Sequence, residues 1–115
     1  MKVIIAGSRD FKNYDLLVTK CDTFLKNQSN IQIVSGTANG ADKLGEKYAR
    51  EKGYSIKQFP ADWDKFGKSA GYKRNKEMAD YADSIIAFWD GKSKGTKHMI
   101  DLAEKSNLKI RIVKF

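Results

Sequence analysis

Three short stretches combine glycine with hydroxyl and carboxylate side chains: GSRDF (7–11), SGTANGAD (35–42) and WDGKSKGT (89–96). Glycine lets a backbone approach a ligand closely, and unpaired amides at the start of a helix favour an anion. Arginine supplies the matching charge for a phosphate, and a carboxylate can accept from hydroxyls or exchange a proton. The candidate ligand-binding residues follow from these types. Gly7, Ser8 and Arg9 would form one wall. Ser35, Gly36, Thr37, Gly40 and Asp42 would form the side that meets the anionic group. Arg74 and Asn75 would close the site, and Gly91, Gly95 and Thr96 would hold another part of the ligand. Neither G-x-G-x-x-G nor a Gly-Lys-Ser/Thr phosphate loop occurs. Each turn alone serves equally well as a plain connection. Their convergence on one edge of a sheet favours an anionic ligand.

The elements that would position these turns alternate along the chain. Continuous apolar runs at KVIIA (2–6) and SIIAFW (84–89) predict strands covered on both faces, and IQIV (31–34) predicts another. SIKQF (55–59) and LKIRIVKF (108–115) alternate with polar residues, as edge strands do. Helical spacing predicts helices over 15–27, 41–52, 69–81 and 95–106, with Gly53 stopping the second and a loop running to about residue 68. The fold class is therefore α/β: a three-layer Rossmann-like fold with a five-stranded parallel sheet in the order 3-2-1-4-5. Ligands of such sheets bind at the carboxyl ends of the strands, where all three glycine-rich stretches fall. The connections at the other edge, KNQSN and KSN, read as ordinary polar turns.

Arg74 and Asn75 lie on the inward stripe of the helix at 69–81, one turn before Met78. A core face is apolar there, so both are expected to aim into the crevice. Trp63, in the long loop, either stacks on a base or plugs the loop onto the core. His98 reads as a surface histidine. Asp62 and Asp64 match no metal pattern, and no metal or cofactor is required. The single cysteine, Cys21, shares an apolar helix face and reads as a buried structural thiol.

With 115 residues, 41% hydrophobic, the chain fits one domain over 1–115 and not a disordered tail. No stretch reaches the roughly 18 apolar residues of a membrane span, and MKVIIAG is too short for a signal peptide. A cytoplasmic location is expected. The net charge of +8 comes mostly from lysines, with four arginines, and suits a solvated surface or a field for an anionic partner. No helix clusters arginine and lysine with interleaved aromatics, which ranks nucleic acid last among partners.

The combination GSRDF, SGTANGAD, PADWDKFGKSAGYKRNKEMADYAD and AFWDGKSKGT resembles the small SLOG-superfamily proteins of the YspA (YpsA-related) type, found in bacteria and their phages. The resemblance covers most of the chain and implies binding of a nucleotide or nucleotide-derived small molecule by a sensor, carrier or sequestering protein. It also implies distant similarity to the LOG phosphoribohydrolases, labelled lysine decarboxylase-like, and to the core of the DNA-processing protein DprA. LOG proteins cleave the N-glycosidic bond of nucleoside monophosphates with an arginine and a glutamate. Arg74 matches the arginine. Gly95 and Thr96 match the second motif, but Met99 stands at the glutamate position, and a thioether exchanges no proton. The resemblance thus favours binding over catalysis. The alternative enzyme, a nucleotide N-glycosidase, would use Arg74 with Asp42 or Asp90. A homodimer is a further expectation, because LOG proteins are dimers.

Overall fold

A strand that loses both faces to solvent reads as an unbroken apolar run, and Val3–Ala6 is such a run. Val3 and Ile5 enter one apolar cluster while Ile4 and Ala6 enter another on the opposite side. The computed structural model describes all residues 1–115. Its strands are β1 (Lys2–Gly7), β2 (Gln32–Ser35), β3 (Ser55–Gln58), β4 (Ser84–Trp89) and β5 (Lys109–Lys114). They form one sheet in the order β3-β2-β1-β4-β5, every pair parallel. The chain is thus a Rossmann-like α/β protein with the strand order that its apolar pattern predicts.

Four twelve-residue helices cover the sheet: α1 (Tyr14–Leu25), α2 (Ala41–Lys52), α4 (Ala70–Tyr81) and α5 (Lys94–Lys105). Leu17, Cys21 and Leu25 of α1 and Tyr48 and Ala49 of α2 pack with Val3, Ile5 and Ile33 on one face. Met78 and Ala79 of α4 and Met99, Ile100 and Ala103 of α5 pack with Ile4, Val34 and Ile85 on the other. Cys21 is fully buried, and burial lifts its thiol to about 12, as a structural thiol requires. The two edge strands keep most of their residues at least partly exposed.

The segment expected to be a plain loop contains a single-turn helix, α3 (Trp63–Phe66), and a 3₁₀ turn at Gly67–Ser69. Asp62 starts it by accepting from the Lys65 N–H at 3.0 Å. One capped turn is too short to show helical periodicity in the sequence. The turns at the amino edge are ordinary, with Asn30 and Asn107 in the left-handed conformation that asparagine tolerates. No helix is long and apolar enough to cross a membrane.

Candidate functional site

The β1–α1, β2–α2 and β4–α5 connections all leave the carboxyl edge of the sheet, and α4 starts beside them. They enclose a crevice of about 230 Å³. Arg74 and Asn75 reach it from the second turn of α4. Asn75 is buried at 5% exposure, and its Oδ1 accepts from Arg74 Nε at 3.0 Å. Arg74 Nη1 donates to the carbonyl of Gly36. The guanidinium is therefore held at two points before any ligand arrives. Burial lowers its pKa, and the Asp42 carboxylate opposes that shift.

Asp42, in the first turn of α2, is the carboxylate of the crevice. It is buried at 6% exposure, and its Oδ2 accepts from the Ala38 N–H at 3.2 Å. Burial lifts its pKa to about 6, against the pull of that N–H and of Arg74. The two forms of this carboxyl are balanced near pH 6, well above the ordinary carboxylate range. Gly36 makes room for the pair: a Cβ there would stand 2.7 Å from Arg74 Nη1 and 2.8 Å from Asp42 Oδ2.

Gly7, Arg9, Asp42, Arg74, Asn75, Gly95 and Thr96 line the crevice. The other predicted residues lie beneath or beside it, a correction to the expectation that all of them line one cleft. Ser35 is fully buried and its hydroxyl donates to Glu46 Oε2 at 2.6 Å while accepting from the Thr37 N–H at 3.0 Å. That pairing holds the turn, with Thr37 at a φ of 65°. The Ser8 hydroxyl accepts from the Asp90 N–H at 3.3 Å and so ties two of the connections together. Gly36 is covered by Arg74. Gly40 has a φ of 79°, and a Cβ on it would meet the Ser8 carbonyl at 2.4 Å, so it packs two connections against each other. Gly91 lies outside the crevice on a neighbouring shelf.

Asp90 also serves the backbone. Its Oδ1 accepts from the Lys92 N–H at 2.8 Å and the Ser93 N–H at 2.9 Å, bonds that hold its pKa below the usual carboxylate range. Trp63 is 52% exposed at the mouth and does not plug the core. Met99 is buried and lines the crevice beside Met78, as its helix position predicts. His98 is not a free surface residue: its Nδ1 stands 3.2 Å from Asn75 Nδ2.

Sequence reasoning missed Tyr72, Lys68 and Ser93 on the crevice and Glu46 beneath it. Tyr72 was legible as a large aromatic off the apolar stripe of α4. Glu46 carries no such signal, because its burial follows from Ser35 and Gln58 reaching it across the sheet edge.

Fold and site together define a Rossmann-like protein with an arginine–aspartate crevice at the carboxyl edge of its sheet. The chain belongs to the YspA, cpYpsA-related SLOG family, whose model matches residues 1–66. That match contains Arg9 and Asp42 and stops short of Arg74, Asn75 and Thr96. A curated relative, the Gene 61 protein of Mycobacterium phage D29, is 34% identical over 119 residues, covering 95% of this chain and 93% of the relative. A crystal structure described as a predicted subunit of tRNA methyltransferase from Methanocaldococcus jannaschii has a TM-score of 0.47 at 15% identity, covering 97% of this chain and 67% of that one.

Proposed function

We propose that the protein binds a nucleotide or nucleotide-derived ligand in this crevice, as a sensor, carrier or sequestering protein and not as a catalyst. The observation that carries the reading is the half-buried Arg74 guanidinium, fixed by Asn75 and Gly36 next to a buried carboxyl. A charge held in that way costs little further ordering when it meets a phosphate. Arg9 lines the same crevice and adds a second guanidinium. Gly95 supports the reading separately. A Cβ there would touch nothing in the protein within 4 Å, yet the residue lines the crevice, so the space beside it is open to a ligand. Trp63 and Tyr72 at the mouth offer faces on which a base stacks. Family membership agrees in kind.

Titration calorimetry with a panel of nucleoside monophosphates tests this. Binding is expected, and Arg74→Ala should weaken it by about 1.5–3 kcal/mol, the range for a charge-assisted hydrogen bond. Unchanged affinity in the variant would remove Arg74 from the site.

A second reading has one observation in its favour. Asp42 combines burial, a raised pKa and an arginine neighbour, which are the attributes of a general acid. It would make the protein an N-glycosidase of nucleotides. Met99, at the position where the related hydrolases carry glutamate, argues against it. We expect little or no free base from nucleoside monophosphates by chromatography. Turnover on the order of 1 per second would establish the enzyme reading and make Asp42 the residue to mutate first.

A further inference from the structure

A second concave surface adjoins the crevice, separated from it by Tyr72, which lines both. Trp89, Gly91, His98, Lys92, Lys94 and Lys97 form this shelf. Asp101 is its carboxylate, and it is engaged with Lys97 at 2.6 Å. Lys92 and Lys94 are exposed and have no carboxylate within salt-bridge distance. Lys114 adds a third such ammonium, 5.0 Å from the Trp89 ring centre and 3.8 Å from where a Cβ on Gly91 would stand. Asp90, the nearest residue of opposite charge along the chain, spends one oxygen on two backbone N–H groups.

Shelf and crevice are also joined by a hydrogen-bond chain. Arg74 Nε donates to Asn75 Oδ1, which fixes the orientation of that amide. Its Nδ2 therefore faces His98 as a donor, and His98 Nδ1 accepts. The proton of the neutral ring is then on Nε2, away from Asn75. Burial lowers the pKa of His98 and so favours that neutral form. The side chain that closes the crevice thus also orients a donor on the shelf.

We infer that the shelf is a second phosphate subsite, and that the preferred ligand is a nucleotide carrying a second phosphate beyond the one at Arg74, with Tyr72 packed between the two. The inference rests on the reading of the crevice as a nucleotide site and narrows its ligand class. Two sources supply this chemistry: a nucleoside 3′,5′-bisphosphate and a 5′-phosphorylated dinucleotide. Both hold the second phosphate one ribose away, as a terminal monoester in the first and as a singly charged diester with a further nucleoside in the second.

Titration calorimetry distinguishes them. The probes are adenosine and cytidine 5′-monophosphates, their 3′,5′-bisphosphates, the 5′-phosphorylated dinucleotides and a 5′-phosphorylated hexanucleotide. The wild-type protein is compared with a Lys92→Ala, Lys94→Ala double variant, whose two changes are at exposed positions. One of the doubly phosphorylated ligands should bind about ten-fold more tightly than its monophosphate, the effect of one charge-assisted contact. The double variant should lose that advantage and keep its affinity for the monophosphate. Whichever doubly phosphorylated ligand gains most shows whether the shelf takes a terminal phosphate monoester or the diester of a chain. Equal affinities in the wild type, or an advantage that survives the double variant, would overturn the inference and leave the crevice reading intact. Affinity that climbs again from dinucleotide to hexanucleotide would also overturn it, in favour of a single-strand surface. Absence of binding by every probe would overturn both readings.

Discussion

The β2–α2 and β4–α5 connections share a vocabulary of glycine, serine, threonine and aspartate, yet they are built in opposite ways. In the first, the chain is locked from below. Ser35 bonds buried Glu46, Thr37 is held at positive φ, and Gly40 presses against the Ser8 and Arg9 backbone. No side chain caps α2. In the second, the turn is held mostly by its own bonds, with the Ser8 hydroxyl and the Asn75 amide as its ties to other segments. Asp90 binds the next N–H groups, Ser93 caps α5 through the Thr96 N–H, and neither Gly91 nor Gly95 presses on neighbouring backbone. Composition alone therefore does not report whether a glycine-rich turn is a rigid wall or a self-contained cap. What separates them is whether the turn must accommodate another piece of backbone.

That contrast can be broken most directly at Gly40. Gly40→Ala should cost about 3 kcal/mol or more, because a strained φ is added to a clash with a carbonyl that cannot swing away. Urea denaturation measures it, and a loss under 1 kcal/mol would show that the first connection is not locked. Asp42 gives the next largest effect. Its folded pKa of about 6 exceeds the ordinary carboxylate value of 3.8, so the folded state binds more protons between these pH values. The group favours folding fully below about pH 3.8, and that contribution is lost as pH rises through 6. Over that window the loss is on the order of 2–3 kcal/mol. Asp42→Asn should therefore gain stability relative to the wild type as pH rises from 4 to 7. Parallel curves for the two proteins would place the carboxyl in a solvated setting.

Smaller effects sharpen the other side of the comparison. Ser93→Ala removes the cap of α5 and should cost about 1 kcal/mol, with thermal unfolding as the measurement. Gly95→Ala, in the first turn of α5 with open space for the new methyl group, should stabilise the chain by roughly 0.5 kcal/mol. The same variant should bind nucleoside monophosphates less tightly on the reading of Gly95 as a residue that lines the ligand's space. A change that stabilises the fold and harms binding would mark Gly95 as kept for the ligand. Improved stability with unchanged binding would return it to the ordinary turns.

Strand order was legible because burial on both faces leaves a direct mark: Val3–Ala6 and Ile85–Phe88 are unbroken apolar runs, whereas β3 and β5 alternate. Helix ends were legible to within about two residues. Arg74 and Asn75 were legible as polar residues on an apolar stripe. The division of labour within SGTANGAD was not, because it depends on Glu46 approaching Ser35 across the sheet edge, and spacing along the chain does not encode that approach. Gly91 was grouped with Gly95 on composition, and the turn made by Asp90 carries it to the other side of Tyr72. His98 has a partner that only the packing of α4 against α5 supplies.

The register of β1 has a consequence for how the molecule comes into being. Val3 pairs with Ile33 on one side and with Ser84 on the other. The second pairing joins residues about eighty positions apart, so its loop-closure cost is met before most of its contacts form. A chain that has emerged only as far as β3 holds a half-sheet with one flank of its central strand bare. What gives the crevice its charge and polarity from the far side arrives around the segment that covers that flank, Arg74 and Asn75 just before it and Thr96 just after. Assembly of the sheet and assembly of the site are therefore one event in time. A nascent or truncated chain ending before β4 should neither fold cooperatively nor carry a partial binding activity.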